Sequence, residues 1–163
     1  MKGFVATAFA FWLLIAPTVA AAQGAVFVVR HAERADTSAD SPLSPVGQVR
    51  ALRLGAMLKD AGITQIYTTN LQRTVQTAAP LAAALLLTPT EIAVSDLDAL
   101  FIKLQGATLH DRVLIVGHSN TVPEILHRLG VTTPVTVGET EYDSLFIAIP
   151  KEGSPAFFVQ LRY

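Results

Sequence analysis

The chain has 163 residues, with 12 Lys and Arg against 13 Asp and Glu, and no cysteine. That length supports one domain with a sizeable core. The even charge balance gives no footprint for nucleic acid, and the lack of Cys excludes disulfides, zinc fingers and a Cys nucleophile.

The N-terminus reads as a secretory leader. Lys2 supplies a positive start, Phe4 to Ala16 is an unbroken run of apolar and small residues, and Pro17 breaks it. Ala20-Ala21-Ala22 offers a small-residue cleavage site, with the cut expected after Ala22. Residues 1–22 are therefore read as a signal peptide and 23–163 as one domain, placed in the periplasm or secreted. The rival reading is a permanent membrane anchor, but the apolar run is shorter than the ~20 residues a spanning helix needs. No Cys follows for lipid attachment, so no permanent membrane anchor is expected in the mature chain.

Val26-Phe27-Val28-Val29 is an apolar, mostly β-branched run, read as a strand buried on both faces. It runs straight into Arg30-His31-Ala32-Glu33-Arg34. Ala35 to Ser41 is a polar loop that either covers this cluster or is a solvated connection. Ser44 suits an N-cap and Pro45 the first helical position. Leu54, Met57, Leu58 and Ala61 predict a core-facing stripe, and Gly62 a C′ stop. Arg50, Arg53 and Lys59 are placed on the solvent face.

Ile63 to Thr68 predicts a second strand, and a helix follows to about Leu87, capped by Thr69 or Asn70. Arg73 then lies in its first turn, where a cation is mildly unfavourable. That position suggests either a functional reason or a plain surface arginine. Glu91 to Val94 predicts a third strand, and Ser95 or Asp96 caps a helix through about Leu104. Val113-Leu114-Ile115-Val116 is a second buried-type strand, followed at once by Gly117-His118-Ser119-Asn120. Pro123 to about Leu129 is a short helix ended by Gly130. Val131 to Tyr142 reads as a loop, and Leu145 to Ile149 with Ala156 to Leu161 as a closing hairpin. The alternation of strands and helices predicts a three-layer α/β/α sandwich with a mainly parallel central sheet and an antiparallel C-terminal edge hairpin.

Two strands thus end in histidine motifs and a third ends near Arg73. Strands of one parallel sheet point the same way, and ligands bind outside their carboxyl ends. The side chains can converge on one pocket suited to phosphoryl transfer. One imidazole attacks phosphorus, and guanidinium forks hold the non-bridging oxygens. Like charges around His31 disfavour its protonated form and keep it able to attack. No metal or cofactor is required if the arginines supply the positive charge.

These motifs resemble the histidine phosphatase, or phosphoglycerate-mutase-like, superfamily over essentially the whole mature chain. Arg30-His31-Ala32-Glu33 is similar to its Arg-His-Gly-Glu signature. Leu43-Ser44-Pro45-Val46-Gly47-Gln48 is similar to its Leu-Thr-x-x-Gly step. Tyr67 to Ala78 is similar to its Ser-x-Leu-x-Arg-Ala-x-Gln-Thr-Ala segment, and Val116-Gly117-His118-Ser119 to its Gly-His motif. The resemblance implies His31 as a nucleophile that becomes phosphohistidine. It implies a phosphate pocket of Arg30, Arg73 and His118, with Arg34 as a further contact. Glu33, Ser119 and Asn120 are expected behind or beside that pocket, Glu33 as either a structural partner of nearby arginines or a catalytic group. Many members carry a Glu or Asp general acid after the third strand or directly after the second His. Here Ser119 takes the latter place, and Asp96 or Asp98 is the candidate for the former, with helix capping as its alternative. In size the chain is similar to the small phosphohistidine phosphatases.

The expected function is an exported, metal-independent phosphatase acting on a small-molecule phosphate or a phosphoprotein. One rival is a slow or non-catalytic phospho-ligand-binding module on the same fold. Another is an α/β-hydrolase using Ser119, whose only later histidine is His127. A zinc deaminase reading of His31-x-Glu33 fails for want of Cys.

Overall fold

The computed structural model describes residues 24–106 and 110–163. The expected leader and its cleavage point lie outside them. The apolar runs become the central strands β1 (Val26–Arg30) and β4 (Val113–Gly117), every residue of which is buried. Around them lie β2 (Gln65–Thr69), β3 (Thr90–Ile92), β5 (Ser144–Lys151) and β6 (Ser154–Arg162). The helices are α1 (Pro45–Leu58), α2 (Gln72–Leu85), α3 (Leu97–Gln105) and α4 (Thr121–Arg128).

One six-stranded sheet runs β3-β2-β4-β1-β5-β6. The pairs β3–β2, β2–β4 and β4–β1 are parallel, and β1–β5 and β5–β6 antiparallel. Successive side chains of a strand face opposite sides, and both sides here are covered. Val26, Val28, Val113 and Ile115 pack with Leu100 of α3 and Val122, Ile125 and Leu126 of α4. Phe27, Val29, Leu114 and Val116 pack with Leu54 and Leu58 of α1 and Ala78, Leu81 and Ala82 of α2. Hence β1 and β4 are continuous apolar runs and not alternating ones. Each fully buried Val, Leu or Ile contributes about 1.5–3 kcal/mol, so the two central strands anchor the fold. This is the α/β/α sandwich with an antiparallel closing hairpin that the sequence predicts.

Boundaries differ where local signals compete with packing. Ser44 caps α1 by accepting from Gly47 N, with Pro45 next, as expected. However, α1 ends at Leu58, and Gly62 (φ +71°) closes the turn beyond it. The buried face is Ala51, Leu54, Gly55 and Leu58, while Met57 is 44% exposed. Gly55 faces Pro80 of α2, which lets the two helices approach closely. Helix α2 stops at Leu85, where Leu86 turns left-handed (φ 56°). Its cap position is Leu71, and neither Thr69 nor Asn70 serves there. Instead Asp40 reaches across from the loop after β1 and accepts from Gln72 N at 2.8 Å.

Strand β3 ends at Ile92, short of Val94, and α4 starts at Thr121, two residues before Pro123. The hairpin is longer and its turn tighter than expected. Lys151 pairs with Ser154 across Glu152-Gly153, and Gly153 adopts φ +66°. Both prolines are tolerated inside it, Pro150 at a bulge and Pro155 on the edge strand β6.

Gly47 tests the fit of α1 against the strand end. A Cβ there would collide with the backbone carbonyl of Glu33. Gly to Ala in a helix ordinarily stabilises. Gly47→Ala is expected to reverse that sign and cost about 1–3 kcal/mol through overpacking. Chemical denaturation would check this, and an unchanged or raised midpoint would contradict it.

Candidate active site

Register brings the two histidine motifs together. Arg30 sits opposite Gly117 in the parallel β1–β4 pair, and His31 N donates to Gly117 O at 2.9 Å. His31 and His118 therefore leave adjacent strand ends side by side, with ring centroids 5.2 Å apart at 62°. The β2–β4 pairing places Thr69 next to them, and Arg73 enters from the first turn of α2. The result is an open cavity of about 210 Å³ lined by Arg30, His31, Arg34, Arg73, Val94, His118, Ser119, Asn120 and Glu139.

His31 is 4% exposed and its Nδ1 lies 2.7 Å from Ala32 O. A carbonyl only accepts, so Nδ1 carries the proton and Nε2 keeps its lone pair. The pKa of His31 is lowered to about 3, chiefly by burial, with His118, Arg30 and Arg73 adding to the effect against the Ala32 hydrogen bond. His118, 6% exposed, is lowered to about 4, again mainly by burial and then by Arg73 and Arg30. Desolvation thus outweighs the like-charge repulsion expected from sequence. Nε2 of His118 is 3.1 Å from Thr69 Oγ1, which is 2.8 Å from Thr74 Oγ1, and Thr74 Oγ1 lies within hydrogen-bond reach of Thr69 O and Leu71 O.

The arginines are held from behind. Arg30 is 4% exposed; its Nη1 donates to Gly138 O (2.7 Å) and Glu141 O (3.2 Å), and its guanidinium lies 4.2 Å from the Tyr142 ring centroid. Arg73 Nη1 donates to Ala39 O at 2.8 Å. Burial, with Arg34 and Arg30 nearby, lowers the pKa of Arg73 despite Asp40, though a guanidinium stays charged. The Nε atoms of both Arg30 and Arg73 are buried without a hydrogen-bond partner. Buried donors are normally satisfied. Two orphans in one cationic cavity fit an oxyanion.

Residues 26–97 match the model of the histidine phosphatase superfamily (branch 1). Its fold is that of solved histidine phosphatase structures. It is similar to the protein histidine phosphatase SixA complexed with tungstate, at 20% identity and TM-score 0.66, over 85% of this chain and 96% of that one. A mycobacterial glucosyl-3-phosphoglycerate phosphatase is similar at 14% identity and TM-score 0.66, over 86% and 98%. An Entamoeba histolytica phosphoserine phosphatase in complex with 3-phosphoglyceric acid is similar at 14% identity and TM-score 0.62, over 86% and 98%. No curated protein matches the chain by sequence.

Within this histidine phosphatase fold, the expected pocket residues Arg30, His31, Arg34, Arg73 and His118 meet in one cavity, with Ser119 and Asn120 at its wall. Other expectations are corrected. Asp96 caps α3, accepting from Ala99 N at 2.9 Å, and Asp98 pairs with Arg128 at 2.8 Å. Neither lines the cavity. Glu33, by contrast, lies behind the cavity as an arginine partner, one of the two roles expected of it, and takes Arg50 Nη2 at 2.7 Å and Nε at 2.9 Å. Arg50 is therefore not on a free solvent face. Burial pushes the Glu33 carboxyl up, but the Arg50 hydrogen bonds and charge outweigh it and leave it below the usual range. The 35–41 loop is tied to α2 through Ala39 and Asp40.

Several residues of the site are not marked individually by any local sequence signal of function. Thr77 accepts from Ala32 N at 2.9 Å and donates to Arg73 O at 2.6 Å, joining the two motifs. Glu139 and Tyr142 arrive from the loop before β5. Thr77 was visible as part of the motif. Nothing local marked Glu139.

Two depressed histidines predict acid instability. Below about pH 6.5 the unfolded chain binds a proton on each imidazole that the folded chain refuses, so stability falls with pH toward the folded values, by at most about 1.4 kcal/mol per pH unit per group. Between about pH 6.5 and 4.5, above most carboxylate titration, His118→Gln is expected to show the shallower decline in denaturation midpoint. Parallel profiles would contradict the assignment.

Proposed function

We propose that this protein is an exported, metal-independent phosphatase that hydrolyses phosphate esters or phosphoramidates through phosphohistidine on His31. The observation that carries the reading is a neutral imidazole, its Nδ1 proton given to Ala32 O, in a cavity with two unpartnered arginine Nε donors. Nε2 of His31 attacks phosphorus, the N–P bond forms, and the bond to the leaving oxygen or nitrogen breaks with its electron pair. Arg30, Arg34, Arg73 and His118 hold the non-bridging oxygens and stabilise the charge that builds on them. Water then attacks phosphorus, the N–P bond breaks, and the lone pair returns to Nε2.

The arginines supply positive charge. Among the described residues no group of three His, Asp or Glu side chains is placed to hold a metal ion. Similar structures hold oxyanions: tungstate in SixA, and VO3 or inorganic phosphate in the mycobacterial phosphatase. The substrate is a small phosphate compound or an exposed phosphoprotein side chain, consistent with an open cavity. Ser119 as a hydrolase nucleophile is disfavoured. It precedes α4, and His127 lies in the last turn of that helix, about 10 Å further along its axis. The leader-like composition of residues 1–22 supports export.

With p-nitrophenyl phosphate the mature chain is expected to turn over between pH 4 and 8 and His31→Ala to fall to background. Arg73→Ala should lose about 10²–10³-fold in kcat/KM, the cost of one oxyanion-stabilising group. Vanadate should inhibit and EDTA should not. Retained activity in the His31 variant would sink the mechanism. A folded but inactive wild type that binds phosphate would favour the binding-module reading. Expression of the full chain should yield an exported product beginning at Gln23, which N-terminal sequencing checks.

A further inference from the structure

The loop before β5 is built into the catalytic cavity. Arg30 grips it through Gly138 O, Glu141 O and the Tyr142 hydroxyl. That grip fixes Glu139 between them. Oε1 of Glu139 accepts from Ser119 Oγ at 2.8 Å, and Oε2 is 3.5 Å from Arg30 Nη2. Glu139 is the sole carboxylate among the residues lining the cavity. Its side chain is 82% exposed, whereas His31 is 4% exposed.

This contrast in depth has a geometric consequence. In-line displacement puts the leaving atom opposite the nucleophile. With His31 at the floor and the phosphoryl group held at mid-depth by the arginines, the leaving atom must point to the mouth. Glu139 stands at the mouth.

We propose that Glu139 is the general acid and base of the reaction, with Ser119 as its positioning residue. The inference rests on the phosphatase reading above. In the first half, the protonated Glu139 carboxyl gives its proton to the leaving oxygen as the P–O bond breaks, yielding a neutral alcohol and a Glu139 carboxylate. In the second half, that carboxylate takes a proton from water as its oxygen attacks the phosphohistidine. The N–P bond breaks, phosphate leaves, and Glu139 is protonated again. The position widens the substrate class from good leaving groups to phosphomonoesters of ordinary alcohols.

The test is leaving-group dependence. Wild type, Glu139→Gln and Ser119→Ala are assayed on p-nitrophenyl, phenyl and ethyl phosphate. An acid matters most for the poorest leaving group and contributes about 10²–10⁴-fold. Glu139→Gln is therefore expected to raise the ratio of kcat/KM for p-nitrophenyl over ethyl phosphate by about 10²-fold or more. Ser119→Ala should move it the same way by less, and Glu139→Asp should restore part of it. A uniform loss on all three substrates would overturn the proposal in favour of a structural role for the loop. A uniform gain would show the carboxylate to be a competitor for the arginines. A wild type that turns over p-nitrophenyl phosphate but neither of the others would also overturn it. If hydrolysis survives His31→Ala, the phosphatase mechanism itself fails. If hydrolysis needs His31 but the ratio is unmoved in Glu139→Gln, only this assignment fails.

Discussion

The parallel register of β1 on β4, with Arg30 opposite Gly117, is the constraint on which the site depends. Side chains of a strand alternate between faces, so a slip of one residue would turn every one of them over. Here both faces are buried, Val28 and Ile115 toward α3 and α4, Val29 and Val116 toward α1 and α2. The core therefore enforces the same register that sets His31 beside His118. Gly117 completes the constraint. A Cβ there would come within 2.9 Å of Thr121 Oγ1, the acceptor for His118 N. Packing and chemistry are thus set by one set of hydrogen bonds.

Burial is what keeps the two imidazoles neutral. Repulsion from nearby guanidinium groups alone would weaken in solvent, where charges are screened. Removing the imidazoles from water disfavours their charged forms directly and strengthens every remaining interaction with an incoming anion. The arginines remain charged in the same surroundings because backbone carbonyls and the Tyr142 ring take part of their field. Their Nε atoms are buried without a hydrogen-bond partner. Neutral imidazoles and charged guanidinium groups coexist because the two side-chain types respond differently to desolvation.

The closing hairpin links the far end of the chain to this site. Because β5 runs antiparallel to β1, its first residues lie beside the carboxyl end of β1, with Leu145 opposite Val29. The segment before β5 must then arrive at the mouth of the cavity. A parallel β5 would have delivered it to the opposite edge. The pairing of Glu141 with Ser144 and Arg162, and of Asp143 with Arg162, fastens that segment to the hairpin.

Much of this was legible in the residues alone. Apolar β-branched runs that end in Arg30-His31 and Gly117-His118, helices opened by Ser44-Pro45 and Asp96, and Arg73 at a strand end determined the α/β/α sandwich and most of the cationic cavity. Those signals are local, spanning a few neighbours, or follow from the rule that parallel strands end on one side. What they left open was every contact between residues distant in sequence. Asp96 and Asp98 looked like candidate acids because position after the third strand says nothing about which way a cap faces. Arg50 looked solvated because its partner Glu33 lies beyond the helix. Glu139 looked like an ordinary loop residue until the antiparallel pairing of β5 with β1 carried it to the cavity. Sequence by itself determined the elements and the chemistry at their ends. Only the tertiary structure decided which carboxylate stands at the mouth of the site, because that placement depends on strand direction across more than a hundred residues of chain.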